Sequence, residues 1–257
     1  MPKSRLEIGT GFYQSESLPF ANQRWVNLYP NIPQGNALAQ SSLFNCEGLR
    51  EVNNTSRLRK DANRGSIEFK NLAYFVNGSK FWQVEKITPV VGEPEYRTTL
   101  IGDVGGGRGR VSLAENGEQI IIINDVGQGF IYQPSVSDSL FPITDAGLYA
   151  NGTPKKVVYI DRYFVVSTDE KKAIISAVGD GTNWNAIDFI SAEADPDDVV
   201  APFIHRNQLY LLGSITTEQF QNIGGAGVPF RRVNGFVVPV GCSSASSVVN
   251  VGDNVYW

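Results

Sequence analysis

Five glycines and two arginines in GDVGGGRGR, residues 102–110, are the residue types that cradle a phosphate. Glycine lets backbone N–H groups close on an oxyanion, and arginine supplies the charge. The segment lacks the Gly-Lys-Ser/Thr ending of a nucleotide loop, and it precedes an apolar strand pattern instead of opening a helix. It therefore reads as a connection between strands, with Arg108 and Arg110 able to touch a neighbouring subunit or DNA. SAEADPDDVV, residues 191–200, groups Glu193, Asp195, Asp197 and Asp198, which could serve acid–base chemistry or calcium. The Asp-x-Asp-x-Asp-Gly ligand order is absent and Pro196 fixes a turn, so the stretch reads as an acidic connection. His205 has no Ser or Cys elbow of the Gly-x-Ser-x-Gly kind to activate. Cys46 and Cys242 lie far apart with no CxxC spacing, which indicates neither zinc nor a disulfide framework and leaves two buried free thiols. The local basic cluster of Arg50, Arg57, Arg59, Lys60 and Arg64, set against Glu51 and Asp61, reads as a solvated loop. No catalytic, cofactor-binding or metal-ligating set is expected.

The elements that would position these residues repeat. An apolar strand, a polar turn and a stronger apolar strand recur in IEFKNLAYFVNGSKFWQV (67–84), VSLAENGEQIIIINDVGQGFIY (111–132), VVYIDRYFVVSTDEKKAIISA (157–177), VVAPFIHRNQLYLLGSITTEQF (199–220) and VVNVGDNVYW (248–257). Anchored on Tyr74, Ile120, Tyr163, Leu209 and Val255, the units follow at intervals of 43 to 46 residues. A fixed period of that length with three or four short strands is the pattern of propeller blades, because one blade cannot bury both of its faces alone. A β-sandwich would show turn signals without the longer period. The expected fold is all-β: a propeller-like array of blades over 65–257, four blades and the first half of a fifth. An extended N-terminal arm and loop segment occupies 1–64, and the array is incomplete at the C-terminus. Either the polypeptide continues beyond Trp257 or the N-terminal stretch supplies the strands that the last unit lacks. In both cases 248–251 and 255–257 are expected to pair, with Trp257 buried.

Composition agrees with many short strands. Charged residues are 19% and aromatic residues 11%, with 26 glycines and 13 prolines. A net charge of −4 offers no global attraction to nucleic acid or to an anionic membrane, so any DNA contact is local. No stretch has the length of a membrane span and the start lacks an apolar leader pattern. The sequons at Asn53, Asn77 and Asn151 are read as turn chemistry.

Ser176, Asp180, Gly181 and Trp184 in SAVGDGTNWNAIDF approximate the Ser-x-Asp-x-Gly-x-x-Trp turn of sialidase-type propeller blades, with two extra residues after the serine. In such turns the polar groups bond the hairpin and the tryptophan packs between strands, which supports a propeller without supplying catalysis. On a larger scale, residues 20–257 resemble the packaged-DNA stabilisation proteins, or tail hub proteins, of short-tailed bacteriophages. VNLYPNIP, LFNCEGL, GRVSLAENG, DGTNWNAIDFISAEADPDDVVA, LYLLGSITTEQFQNIGGAGVPFRRVNG and VGCSSASSVVNVGDNVYW carry the resemblance. The part from 181 onward is the specific part. Near the N-terminus Asn45-Cys46-Glu47-Gly48-Leu49 stands where the family tends to show Thr-Pro-Gly-Leu.

The resemblance implies a non-enzymatic virion protein without cofactors. It would form a homo-oligomeric ring, thought of as a hexamer, below the portal or its adaptor, close the channel after packaging, and carry the tail needle or tailspikes. Its place would be the virion tail, and the host cytoplasm during assembly. Residues 1–64, with Phe12, Tyr13, Phe20, Trp25 and Tyr29, and the inter-blade loops would make the ring contacts. Two other readings stay open: a carbohydrate-binding or sugar-cleaving propeller, suggested by the Ser/Asp/Trp turn, and an interaction propeller of the host. Three or more carboxylates and arginines converging on an axial pocket would favour the sugar reading; a flat or filled axis with extended arms would favour the hub.

Overall fold

Each of the first four repeats folds into a four-stranded antiparallel sheet, because its polar turns are short enough to return the chain directly onto itself. The computed structural model describes residues 28–31, 42–46, 48, 61–88, 95–192, 198–224 and 227–257. The chain divides into two units, 1–52 and 53–257. In the first, β1 (Leu28–Asn31) and β2 (Ser42–Asn45) pair antiparallel, with Leu28 opposite Asn45.

The second unit holds four sheets in chain order. The first comprises β3 (Asn63–Phe69), β4 (Leu72–Asn77), β5 (Lys80–Lys86) and β6 (Tyr96–Asp103). The second comprises β7 (Ser112–Glu115), β8 (Ile120–Ile123), β9 (Gly129–Tyr132) and β10 (Leu140–Pro142). A short 3₁₀ turn at Ala146–Tyr149 leads on. The third comprises β11 (Pro154–Ile160), β12 (Tyr163–Thr168), β13 (Lys172–Ala177) and β14 (Asp180–Ser191). The fourth comprises β15 (Val199–His205), β16 (Gln208–Gly213), β17 (Thr217–Asn222) and β18 (Phe230–Val238). A hairpin of β19 (Val249–Val251) and β20 (Asn254–Tyr256) follows. The first strands touch in succession, β3 to β7 to β11 to β15, and the sheets do not close a ring among the described residues.

The first hairpin of three blades turns on two residues that both have positive φ: Lys70-Asn71, Asp161-Arg162 and Arg206-Asn207. They leave Phe69 opposite Leu72, Ile160 opposite Tyr163 and His205 opposite Gln208. That conformation matches the right-handed twist of the flanking strands, and in each pair an Asn or Asp, Asn71, Asp161 or Asn207, which tolerates it, takes one of the two places.

Each sheet is buried on the face that meets its neighbour. Between the first and second sheets Tyr74, Val76 and Phe81 pack against Ile120, Ile122 and Tyr132. Between the second and third, Ile121, Ile123 and Ile131 meet Val157, Phe164 and Ile174. Between the third and fourth, Val165, Ala173 and Ile175 meet Leu209, Leu211 and Phe220. A middle sheet is covered on both faces, so the run Ile120–Ile123 does not alternate and all four side chains are buried. Each contributes about 1.5–3 kcal/mol by leaving water.

The final hairpin differs. Asn254 belongs to β20 and not to the turn, and Val249 pairs with Tyr256. Trp257 is 43% exposed instead of buried, because it is held at its edge by a bond from Nε1 to the Gly241 carbonyl (2.9 Å) and no sheet of the described residues covers it. No helix among the described residues is long and apolar enough to cross a membrane.

Candidate functional site

The first strands of three sheets carry irregularities that re-aim side chains. Register shifts fall between Asn63 and Gly65 in β3, between Pro154 and Lys156 in β11, and between Val199 and Ala201 in β15. A bulge inserts one extra residue and re-aims its side chain. The extra residues are Arg64, Lys155 and Val200. Arg110, which precedes β7, lies one repeat after Arg64 and one before Lys155.

Arg64 is buried, its side chain only 1% exposed. Nε donates to the Gly109 carbonyl (2.6 Å), and Nη1 donates to the carbonyls of Gly105 (2.9 Å) and Gly78 (3.0 Å). Nη2 pairs with Asp125 Oδ1 at 2.6 Å. The glycine segment wraps the same carboxylate: Gly107 N–H donates to Oδ1 and Gly109 N–H to Oδ2, both at 2.8 Å. A Cβ on Gly107 would stand 2.6 Å from Asp125 Oδ2. Burial pushes the Asp125 carboxyl up, but the amides of Gly109 and Gly107 and the Arg64 charge outweigh it and hold it below the usual carboxylate range. The loop is thus an anion cradle whose anion is the protein's own carboxylate. This corrects the solvated-loop reading of Arg64.

Around this knot lies a cavity of about 750 Å³, lined by residues of β3, β7, β11 and β15 and of the segment before β19. Its charged lining among the described residues is Arg64, Arg110, Asp125, Lys155 and Lys156. Arg110 and Lys155 are exposed and Lys156 is half-buried. Lys156 Nζ donates to the Ala245 carbonyl (2.7 Å), and burial pulls its pKa down, with a small opposing effect from Cys242. The axis is therefore neither flat nor filled. Two arginines and a carboxylate do converge there, as the sugar reading asked, but Arg64 pairs with Asp125, the one carboxylate lining the cavity among the described residues.

The Ser/Asp/Trp turn joins β13 to β14 and is structural. Ser176 Oγ accepts from Phe164 N–H (3.0 Å), Asp180 Oδ1 accepts from Thr182 N–H (2.9 Å), and Trp184 Nε1 donates to the Gly181 carbonyl (2.8 Å). Trp184 is 3% exposed within the core between the second and third sheets. The extra residues after Ser176 are absorbed by register shifts in this pair of strands.

Other residues read from the sequence do not converge. His205 Nδ1 lies 3.0 Å from Asn250 Oδ1, with Tyr210 as its ring neighbour. Cys242 is buried, but Cys46 is exposed, so the pair of buried thiols is corrected to one. Asp198 is exposed, while Glu193, Asp195 and Asp197 lie outside the described residues, as do Arg50, Arg57, Arg59, Lys60, Phe12, Tyr13, Phe20 and Trp25. Among the described residues no group of three His, Cys, Asp or Glu side chains is placed to hold a metal ion. Asp125, Lys155 and Lys156 were missed. For the lysines the signal available was the recurrence of a basic residue, Arg64, Arg110 and Lys155, within or just ahead of the first strand of three consecutive repeats; no such signal marked Asp125.

A succession of four-stranded antiparallel sheets with touching first strands around an axial cavity defines a β-propeller blade array. A family model for phage stabilisation, described as bacteriophage P22 Gp10, beta-propeller, matches residues 4–257. The chain belongs to that family of phage packaged-DNA stabilisation proteins. Among curated proteins none matches it. Similar solved structures include Hsv2p of Kluyveromyces lactis, 8% identical over 90% of this chain and 73% of that one, with a TM-score of 0.50. The extracellular domain of the hybrid two-component system BT4673 from B. thetaiotaomicron is 11% identical over 80% and 26%, also at 0.50. YCF48 bound to D1 peptide is 11% identical over 75% and 58%, at 0.49. At these identities only the fold is shared, and the chain spans 58% of the YCF48 chain.

Proposed function

We propose that this chain is a non-enzymatic part of the phage virion, a tail hub that closes the portal channel after DNA packaging and attaches the tail needle or tailspikes. The observation that carries the reading is the family match over residues 4–257. A plug that holds packed DNA needs rigidity and large subunit interfaces more than it needs chemistry. Sheets buried on both faces supply the rigidity, and the neutralised Asp125 suits a protein without acid–base work. With a net charge of −4 the protein would meet DNA locally and not coat it. Rings of identical copies would form through residues 1–64 and the inter-blade loops, in the host cytoplasm and then in the virion tail.

The test is electron microscopy of the purified chain mixed with portal rings, alongside a mass measurement of the chain and of a variant lacking residues 1–30. Rings seated on the portal are expected for the full chain. The deletion variant should keep the β-rich circular dichroism of the blades and lose assembly. A full chain that stays monomeric and leaves the portal bare would sink the hub reading, and a deletion variant that still forms rings would sink the role of the arm.

A further inference from the structure

Three consecutive repeats place a basic residue just ahead of or within the first strand, Arg64, Arg110 and Lys155, and the stacking of the sheets gathers all three around one cavity. The bulge at the start of β11 lets the adjacent Lys156 line that cavity too. Arg64 is consumed by Asp125 and the glycine carbonyls. We propose that the axial cavity is an anion site in which Arg110, Lys155 and Lys156 hold a phosphate group.

The geometry points to phosphate through its charge balance. Among the described residues Arg110, Lys155 and Lys156 have no ion-pair partner, and the one carboxylate lining the cavity is already neutralised by Arg64. Asp169 is held low chiefly by hydrogen bonds from Thr153 and only in smaller part by the Lys155 charge, and no ion pair joins the two. Lys156 has one acceptor, the Ala245 carbonyl, for three N–H groups, and its burial disfavours the charged form unless an anion returns what water no longer supplies. A carboxylate offers two oxygens and one charge to three cations. A phosphate offers three or more oxygens and up to two charges, and so fits the donor set more fully. The cavity of about 750 Å³ admits a phosphate with the group that bears it. The site does not rest on the tail-hub reading, since its groups belong to one chain.

The experiment is titration calorimetry of the full chain with sodium pyrophosphate at low ionic strength. It is run for the unmodified protein, for the double variant Arg110→Gln/Lys155→Gln, for Lys156→Gln, and for Arg231→Gln as a control on an exposed position of β18. Binding is expected for the unmodified protein and the control. Both axial variants should bind about tenfold or more weakly, as for the loss of one or two charge-assisted hydrogen bonds. Arg110 and Lys155 are exposed, so the double variant keeps its fold even where Lys156→Gln loosens it. A short DNA duplex is then added as competitor: displacement of pyrophosphate assigns the phosphate to nucleic acid, and no displacement assigns it to a free phosphate compound. Absence of pyrophosphate binding to the unmodified protein overturns the proposal. So does a double variant that binds as tightly as the unmodified protein, or a control that is weakened equally.

Discussion

Arg64 shows how one side chain can hold several connections at once. Its guanidinium ties the start of β3, the turn after β4, the glycine loop and the turn after β8 through four bonds of 2.6–3.0 Å. Removing it leaves three backbone carbonyls and a carboxylate short of a donor in a site where the side chain is 1% exposed. Arg64→Gln should therefore cost roughly 3–5 kcal/mol, the range for breaking one partner of a buried pair, read as a lowered urea midpoint with an unchanged slope. The same knot makes a pH prediction. Asp125 has a folded pKa below its unfolded one, so its contribution is fully present above the unfolded value of about 4 and is lost as pH falls through the folded value. Asp125→Asn should lower stability at pH 7 and flatten the loss between pH 5 and pH 3, compared by thermal melts at each pH.

At the scale of elements, the first hairpins show how local chemistry sets register. Arg162 has φ of +70°, a conformation that costs a side-chain-bearing residue energy and costs glycine little. Its carbonyl accepts from Gly179 N–H (2.7 Å), a bond that does not involve the side chain. Arg162→Gly should therefore stabilise the protein by about 0.5–1 kcal/mol, seen as a higher melting temperature with unchanged circular dichroism; a lower one would show that the exposed arginine contributes more than the turn strain. The β13–β14 hairpin works differently, since its turn is held by side chains. Ser176, Asp180 and Trp184 satisfy backbone groups there, so a motif met elsewhere on propeller blades serves packing here.

For the molecule as a whole, stability should grade along the blade order. The four isoleucines of β8 are sealed between two sheets, whereas Val249, Val251 and Tyr256 in the last hairpin are about half exposed or more. Local opening follows buried contact. Native-state hydrogen exchange should find the β8 amides protected to near the global unfolding free energy, and those of β19 and β20 exchanging through local opening. Equal protection in both would contradict a stack whose cohesion comes from sheet-on-sheet burial.

How much was legible in the sequence follows from the range of each interaction. The repeat, the strands and the two-residue turns depend on neighbours a few positions apart, so apolar runs around Lys70-Asn71 or Asp161-Arg162 declared them directly. The run Ile120–Ile123 also announced a strand, though not that its faces serve two different cores, which needs a sheet on either side. The glycine loop had the composition of an anion cradle, but Asp125, the anion it holds, lies on a turn of the next sheet. Arg64 looked like part of a charged loop because its partners, carbonyls of the glycine loop and of the turn after β4 and the Asp125 carboxylate, arrive from three other connections. Exposure of Cys46 and of Trp257 likewise depends on what packs beside them. The sequence by itself determined the blades and their order, because those are set by local patterning. Only the tertiary structure decided which charges are neutralised and which remain open at the axis, because stacking brings together residues one repeat apart whose side chains no local rule could have joined.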